Sequence, residues 1–230
     1  MFFSYICGTI TLKIRIMKHL LRLLIAVTLL VGAAQGARAE FRWGPTAGAT
    51  FTTLKFKQDL FQVDHTVGPM AGVTGELMFP GIGFGVDFSA IYAIQGAKLH
   101  LGDKEIWASD GFGNQRAYLH TLSIPLNVRF KWTRMNGIED WVAPFVFGGP
   151  VFDFTFAHGG LKSKLPDVDG PMKYAVGAIG LQCGFGLEIR KRWQIQGSYV
   201  WGMTYALKAV KLQDFSARER YWTVRATYFF

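Results

Sequence analysis

Cysteine is nearly absent from this chain. Of its two, Cys7 lies in a leader segment, which leaves Cys183 alone in the rest and no partner for an intramolecular disulfide. Cys183 falls on the apolar face of a predicted strand and reads as a small hydrophobe rather than a reactive thiol. Acidic residues are missing from residues 1–39, which hold five basic ones: Lys13, Arg15, Lys18, Arg22 and Arg38. The remainder carries 20 basic against 16 acidic residues, so the formal charge of +9 falls to +4. Those basic residues are scattered rather than gathered in a stripe, which argues against a nucleic-acid partner. After residue 40 no apolar run approaches the roughly 20 residues a spanning helix needs. There is no phosphate-binding glycine loop, no zinc-ligand spacing and no pair of catalytic carboxylates, so neither cofactor nor metal is expected. Asp167-Val168-Asp169-Gly170 has the start of a calcium loop without its distal Glu, and reads as a polar turn.

The leader has the parts of a secretory signal peptide. Met17-Lys18-His19 through Arg22 is the charged region, Leu23 to Val31 the apolar stretch, and Ala37-Arg38-Ala39 a small-x-small cleavage site. We therefore expect a signal peptide over 1–39, with the natural start near Met17, and one domain over 40–230.

What the chain has is apolar surface: half its residues are hydrophobic and its mean hydropathy is +0.19. That surface is laid out in alternation. Trp193, Ile195, Gly197, Tyr199, Trp201, Met203, Tyr205 and Leu207 share one parity, while Gln194, Gln196, Ser198, Val200, Gly202, Thr204 and Ala206 share the other. Side chains of a strand point alternately to its two faces, so this is a strand with one greasy and one small or polar face. The pattern recurs and predicts strands near 41–56, 66–79, 82–97, 118–133, 141–157, 172–189, 192–208 and 219–230. Connections alternate between longer (57–65, 98–117, 158–171, 209–218) and shorter, among them Pro80-Gly81 and Arg190-Lys191. In the fifth strand Phe145 and Phe147 differ in parity from Phe152, Phe154 and Phe156, and Gly148-Gly149-Pro150 between them predicts a β-bulge. Pro125 and Pro144 also lie inside strands, where bulges would accommodate them.

Alternation alone does not say which face is wet, and a soluble lipocalin-like barrel shares it. Three features turn the greasy face outward. Trp132, Trp193, Trp201, Tyr199 and Tyr205 are too many rings for an eight-stranded interior that side chains just fill. The small-polar face carries charges of both signs. Aromatics gather near strand ends, as Trp43, Phe79, Trp132, Trp141, Trp193, Tyr228 and Phe230 at one rim and Tyr92, Tyr118, Tyr174 and Tyr205 nearer the other, which resembles membrane girdles. The fold expected is an all-β, eight-stranded, antiparallel, up-and-down transmembrane barrel of the small outer-membrane type. Long odd connections would then face outward and both termini would be periplasmic, in a bacterial outer membrane.

The closing residues Tyr228 and Phe230, with Trp222 at the same parity, resemble the C-terminal signal by which outer-membrane barrels are recognised for assembly. Tyr118-Leu119-His120-Thr121-Leu122-Ser123-Ile124-Pro125-Leu126 resembles the tyrosine-then-isoleucine-proline-leucine strand of the PorT-like outer-membrane β-barrel family. Phe145-Val146-Phe147-Gly148-Gly149-Pro150, Gly184-Phe185-Gly186-Leu187-Glu188 and Gly197-Ser198-Tyr199 fit its later segments. The resemblance implies the barrel fold and, as partners, outer-membrane lipid, the β-barrel assembly machinery and secretion-system proteins. It implies participation in protein secretion or envelope integrity.

Three candidate sites follow. Glu76, Asp87, Asn127, Arg129, Lys131, Glu188, Gln194, Gln196 and Arg225 project into the lumen, as a narrow conduit or as a plug of mutual ion pairs; the small bore favours the plug. A passive solute pore therefore stands as an alternative, as does a lipid-modifying enzyme. For the enzyme, His120 and Ser123 are three residues apart and so face opposite ways, and no catalytic pair is expected. In the 98–117 connection, Trp107 and Phe112 stand among charges and are either partner anchors or packed down on the rim.

Overall fold

The computed structural model describes residues 40–56, 62–79, 81, 83–133, 135, 137–159, 161, 172–209 and 216–230. The leader, its cleavage site, the Asp167–Gly170 turn and Pro80 lie outside the described residues. Among those described, eight long strands form the barrel: β1 (Glu40–Phe56), β2 (Val63–Met78), β3 (Phe84–His100), β4 (Asn114–Lys131), β5 (Val142–Gly159), β7 (Gly177–Ile189), β8 (Trp193–Gly202) and β10 (Ser216–Tyr228). Two short strands, β6 (Met172–Tyr174) and β9 (Leu207–Ala209), extend the rim. Sequential strands are neighbours, and β1 pairs antiparallel with β10 from Thr46↔Thr227 to Phe56↔Ala217. That last pairing closes the sheet and leaves no barrel edge open.

The alternation has the sense expected of lipid outside. Val128 is 61% exposed and Trp193 51%, whereas Arg129 is 1% and Glu76 0% exposed. No helix among the described residues is long and apolar enough to cross a membrane, but strands of 10 to 18 residues meet or exceed the roughly 9–11 a barrel strand needs. Cys183 is exposed on the outer face of β7.

Two of the three connections at one end, β2 to β3 and β7 to β8, are short, and that end also holds the C-terminus. Arg190 and Lys191 turn β7 into β8 with φ of 51° and 60°, a primed-type hairpin geometry that suits the strand twist. Trp43 and Phe230 rings meet there at 5.3 Å, and Trp193 and Tyr228 at 4.9 Å.

Two expectations about the strands are corrected. The predicted bulge at Gly148–Pro150 is not there: β5 keeps one register against β4 from Lys131↔Phe145 to Thr121↔Thr155, and the shift comes later, between His120 and Thr121. Phe145 and Phe147 therefore stay on the inner parity, while Phe154 and Phe156 face out. The physical reason is glycine across the ladder. A Cβ on Gly186 would strike the Phe145 ring, and one on Gly184 the Phe147 ring. Pro125 is likewise held in register, opposite Val151, without a bulge. Second, the strand expected to run through 192–208 ends at Gly202. Met203 and Thr204 both donate their N–H to the Ile179 carbonyl, and Ala206 donates to Ala217. This break slips the parity, so Met203 and Tyr205 remain exposed while Leu207 is buried in the barrel mouth.

Candidate functional site

All nine predicted lumen residues are buried inside the barrel. They form a hydrogen-bonded network at the short-turn end. Arg129 on β4 is its centre: Nε donates to Asp87 Oδ2 at 3.0 Å, and Nη1 donates to Gln194 Oε1 at 2.9 Å and to Glu76. Its guanidinium lies 4.4 Å from the centre of the Phe145 ring. Lys131 Nζ bridges Glu76 and Glu188, each at 2.7 Å. Gln194 Nε2 donates to Glu76 at 2.6 Å and to Glu188 at 2.8 Å. Asn127 joins the set through Asp87 at 2.7 Å, and Gln182 donates onward to Asn127 at 2.6 Å.

One member escaped the sequence reading. Arg42 reaches inward from the start of β1, pairs with Glu76 at 2.8 Å and Glu188 at 2.7 Å, and donates to the Lys191 carbonyl at 2.6 Å. Its even parity on β1, shared with Thr46 and Thr50, is the signal that would have found it. With Arg42 included, the three cations Arg42, Arg129 and Lys131 face the three anions Glu76, Asp87 and Glu188. Charge balance and multiple hydrogen bonds are what a desolvated ion cluster needs, because a buried charge without a partner is strongly destabilising.

Arg225 and Gln196 sit one level further in. With its side-chain oxygen turned to the guanidinium, Gln196 accepts from Arg225, whose Cζ lies 6.0 Å from the Phe147 ring centre. Above them, Asp153 accepts from Ser123 and from the Tyr221 hydroxyl at 2.9 Å. Asp153 shares the inner parity of Val151, and Tyr221 that of Thr223 and Arg225, which is the signal that would have found them. Glu219 is buried at the same end of β10. A cavity of about 20 Å³ lined by Gln95, Ser123, Gln182, Tyr221 and Arg225 lies here, which is space on the order of one water molecule.

Trp107 and Phe112 are not exposed. Trp107 is 1% and Phe112 3% exposed, so of the two readings the packed-down one is seen and the outward anchor is not. The segment between β3 and β4 winds through a turn at Leu101–Asp103 and one helical turn, Glu105–Ala108. It drops Leu101, Trp107 and Phe112 into the barrel mouth against Leu54, Phe56, Leu99, Met172 and Leu207. The charges around them stay at the surface because only the rings gain from leaving water.

His120 and Ser123 do face opposite ways. His120 Nδ1 meets the Tyr92 hydroxyl at 2.7 Å on the outside, and Ser123 bonds Asp153 within. Among the described residues no group of His, Cys, Asp and Glu is placed to hold a metal ion.

A model of the outer membrane protein β-barrel domain matches residues 33–207. Among solved structures the chain is similar to the outer membrane protein OprG from Pseudomonas aeruginosa, at 14% identity over 84% of this chain and 95% of that one, with a TM-score of 0.50. It is also similar to a major outer membrane protein from Thermus thermophilus, at 12% identity over 83% and 100%, TM-score 0.49. A third is Ail, the attachment invasion locus protein of Yersinia pestis, at 13% identity over 83% and 99%, TM-score 0.43. At such identities OprG bears on the fold alone. No curated protein matches the chain.

Proposed function

The chain belongs to the outer membrane protein β-barrel domain family, and from that premise we propose that it works as a sealed barrel, structural or interactive in role, rather than as a pore. The observation that carries this reading is the filling of the lumen by the described residues: a neutral ion cluster at one level and an apolar plug at another, with a cavity on the order of one water between. A solute path would have to break both. We further propose that residues 1–39 are removed as a signal peptide and that both barrel termini are periplasmic. In that orientation Tyr228 and Phe230 are presented to the assembly machinery: Phe230 is 70% exposed, and its backbone N–H bonds the Trp43 carbonyl at 3.1 Å. The resemblance to PorT-like barrels supports a contribution to protein secretion or envelope integrity.

Planar-bilayer recording on the refolded protein tests the sealed reading. Current at the lipid baseline is expected, and discrete conductance steps would overturn it. Deletion of the gene followed by proteomics of secreted and periplasmic fractions tests secretion. Cargo retained in the periplasm is expected, and normal export would sink that part of the reading.

A further inference from the structure

We propose that Lys55, Arg218 and Arg220 form a binding site for the phosphorylated headgroup of one membrane lipid, whose acyl chains lie along the aromatic face beside them. The cations come from two strands locked side by side. Lys55 stands directly opposite Arg218, and Arg220 opposite Thr53, where β1 meets β10 at the seam that closes the barrel. All three project outward, to the face that carries Phe51 and Trp222. Like charges directly opposite on a ladder repel one another. Among the described residues no acidic side chain forms an ion pair with any of the three; Glu219 between the two arginines points into the lumen. An anion held between them would turn that repulsion into attraction.

The surroundings have the shape of a lipid site. Lys55, Phe56, Tyr205, Ser216, Arg218 and Arg220 line an open groove of about 300 Å³. The Arg218 guanidinium lies over the Tyr205 ring at 5.1 Å, which fixes its direction. One step along the same faces the surface becomes apolar: Phe51 is paired with Trp222, and Trp222 with Tyr199. The cations thus sit where the aromatic band ends, the level at which lipid phosphates lie. Guanidinium forks suit phosphate oxygens better than water does. Two other basic groups at this end, Lys98 and Arg116, are differently placed. Lys98 faces Asp64 across the ladder, and Arg116 donates to the Val67 carbonyl at 2.7 Å and stacks on Tyr118.

The continuity of the groove with the aromatic face commits the site to a membrane lipid rather than a soluble anion. The inference rests on the barrel lying in the outer membrane, not on the sealed lumen or on secretion. Native mass spectrometry of the detergent-released full barrel tests it, with phosphatidylglycerol, lipid A and phosphatidylcholine as probes. One phosphatidylglycerol or lipid A adduct per barrel is expected, retained on the order of tenfold or more above phosphatidylcholine. A triple variant, Lys55→Gln, Arg218→Gln and Arg220→Gln, should fall to the phosphatidylcholine level while keeping its heat-dependent gel shift. Lys98→Gln with Arg116→Gln should retain the adduct. Equal retention of phosphatidylcholine by the unaltered barrel overturns the proposal whether or not the triple variant folds. So does an unchanged adduct in a folded triple variant, or full displacement by millimolar inorganic phosphate.

Discussion

At the short-turn end of the lumen three cations face three anions drawn from five strands, while at the long-loop end an apolar segment closes the mouth by burying two rings. The two seals differ in what they specify. The ion cluster demands that β1, β2, β3, β4 and β7 stand in one register, since a slip of one residue would turn its charges to lipid. The apolar plug demands only volume, and the segment that supplies it has short helical turns rather than ladder bonds. The charged end therefore fixes the barrel, and the apolar end fixes a connection.

Breaking the charged end has the largest effect. Glu76→Ala leaves Arg42, Arg129 and Lys131 each short of a buried partner, and a loss of about 3–5 kcal/mol is expected in urea unfolding from vesicles. A change below about 1 kcal/mol would show that water replaces the carboxylate freely. At the apolar end, Trp107→Ala removes the largest ring of the plug. The expected cost is about 3 kcal/mol, held to that level because the segment opens locally before the barrel does. Limited proteolysis should then cut within residues 101–113 at urea concentrations where the gel shift persists, and simultaneous loss of both would remove the distinction between the ends.

Gly186→Ala sharpens the comparison from inside the charged half. Its new Cβ meets the Phe145 ring that Arg129 covers, and an overpacking cost of about 1–3 kcal/mol is expected. Phe145→Leu in the same chain should recover part of it; no recovery would mean that the Ile195 carbonyl, not the ring, sets the clash. The smallest effect lies at the loop rim. A hydrogen bond from His100 holds the Asp64 carboxyl below its ordinary value of 3.8. A depressed carboxyl contributes stability above its unfolded value and loses it as pH falls through the folded one. Hydrogen exchange near Leu99 and His100 should therefore quicken only as pH drops below about 3.8, and Asp64→Asn should flatten that dependence.

How much was legible follows from where the information sits. The parity of Arg129, Lys131, Gln194 and Gln196 is local, so alternation placed them inside without any knowledge of their neighbours. Phe145 and Phe147 broke that logic, because large rings inside a small barrel are admissible only where Gly184 and Gly186 face them, and β7 lies some forty residues away in sequence. Trp107 among charges read equally as an anchor or as packed down, since nothing local records that the mouth beneath it is apolar.

By itself the sequence determined, outside β5 and the end of β8, which side chains share a face, that there are eight long strands and that the aromatic face meets lipid, because a period of two and the bulk of the rings are properties of each strand alone. Only the tertiary structure decided who meets whom. Arg42 and Glu188 are 146 residues apart, and Gln194 and Glu76 118 apart. Such partners are chosen when the closed ring of strands sets each one's height across the lumen, a quantity no single strand contains.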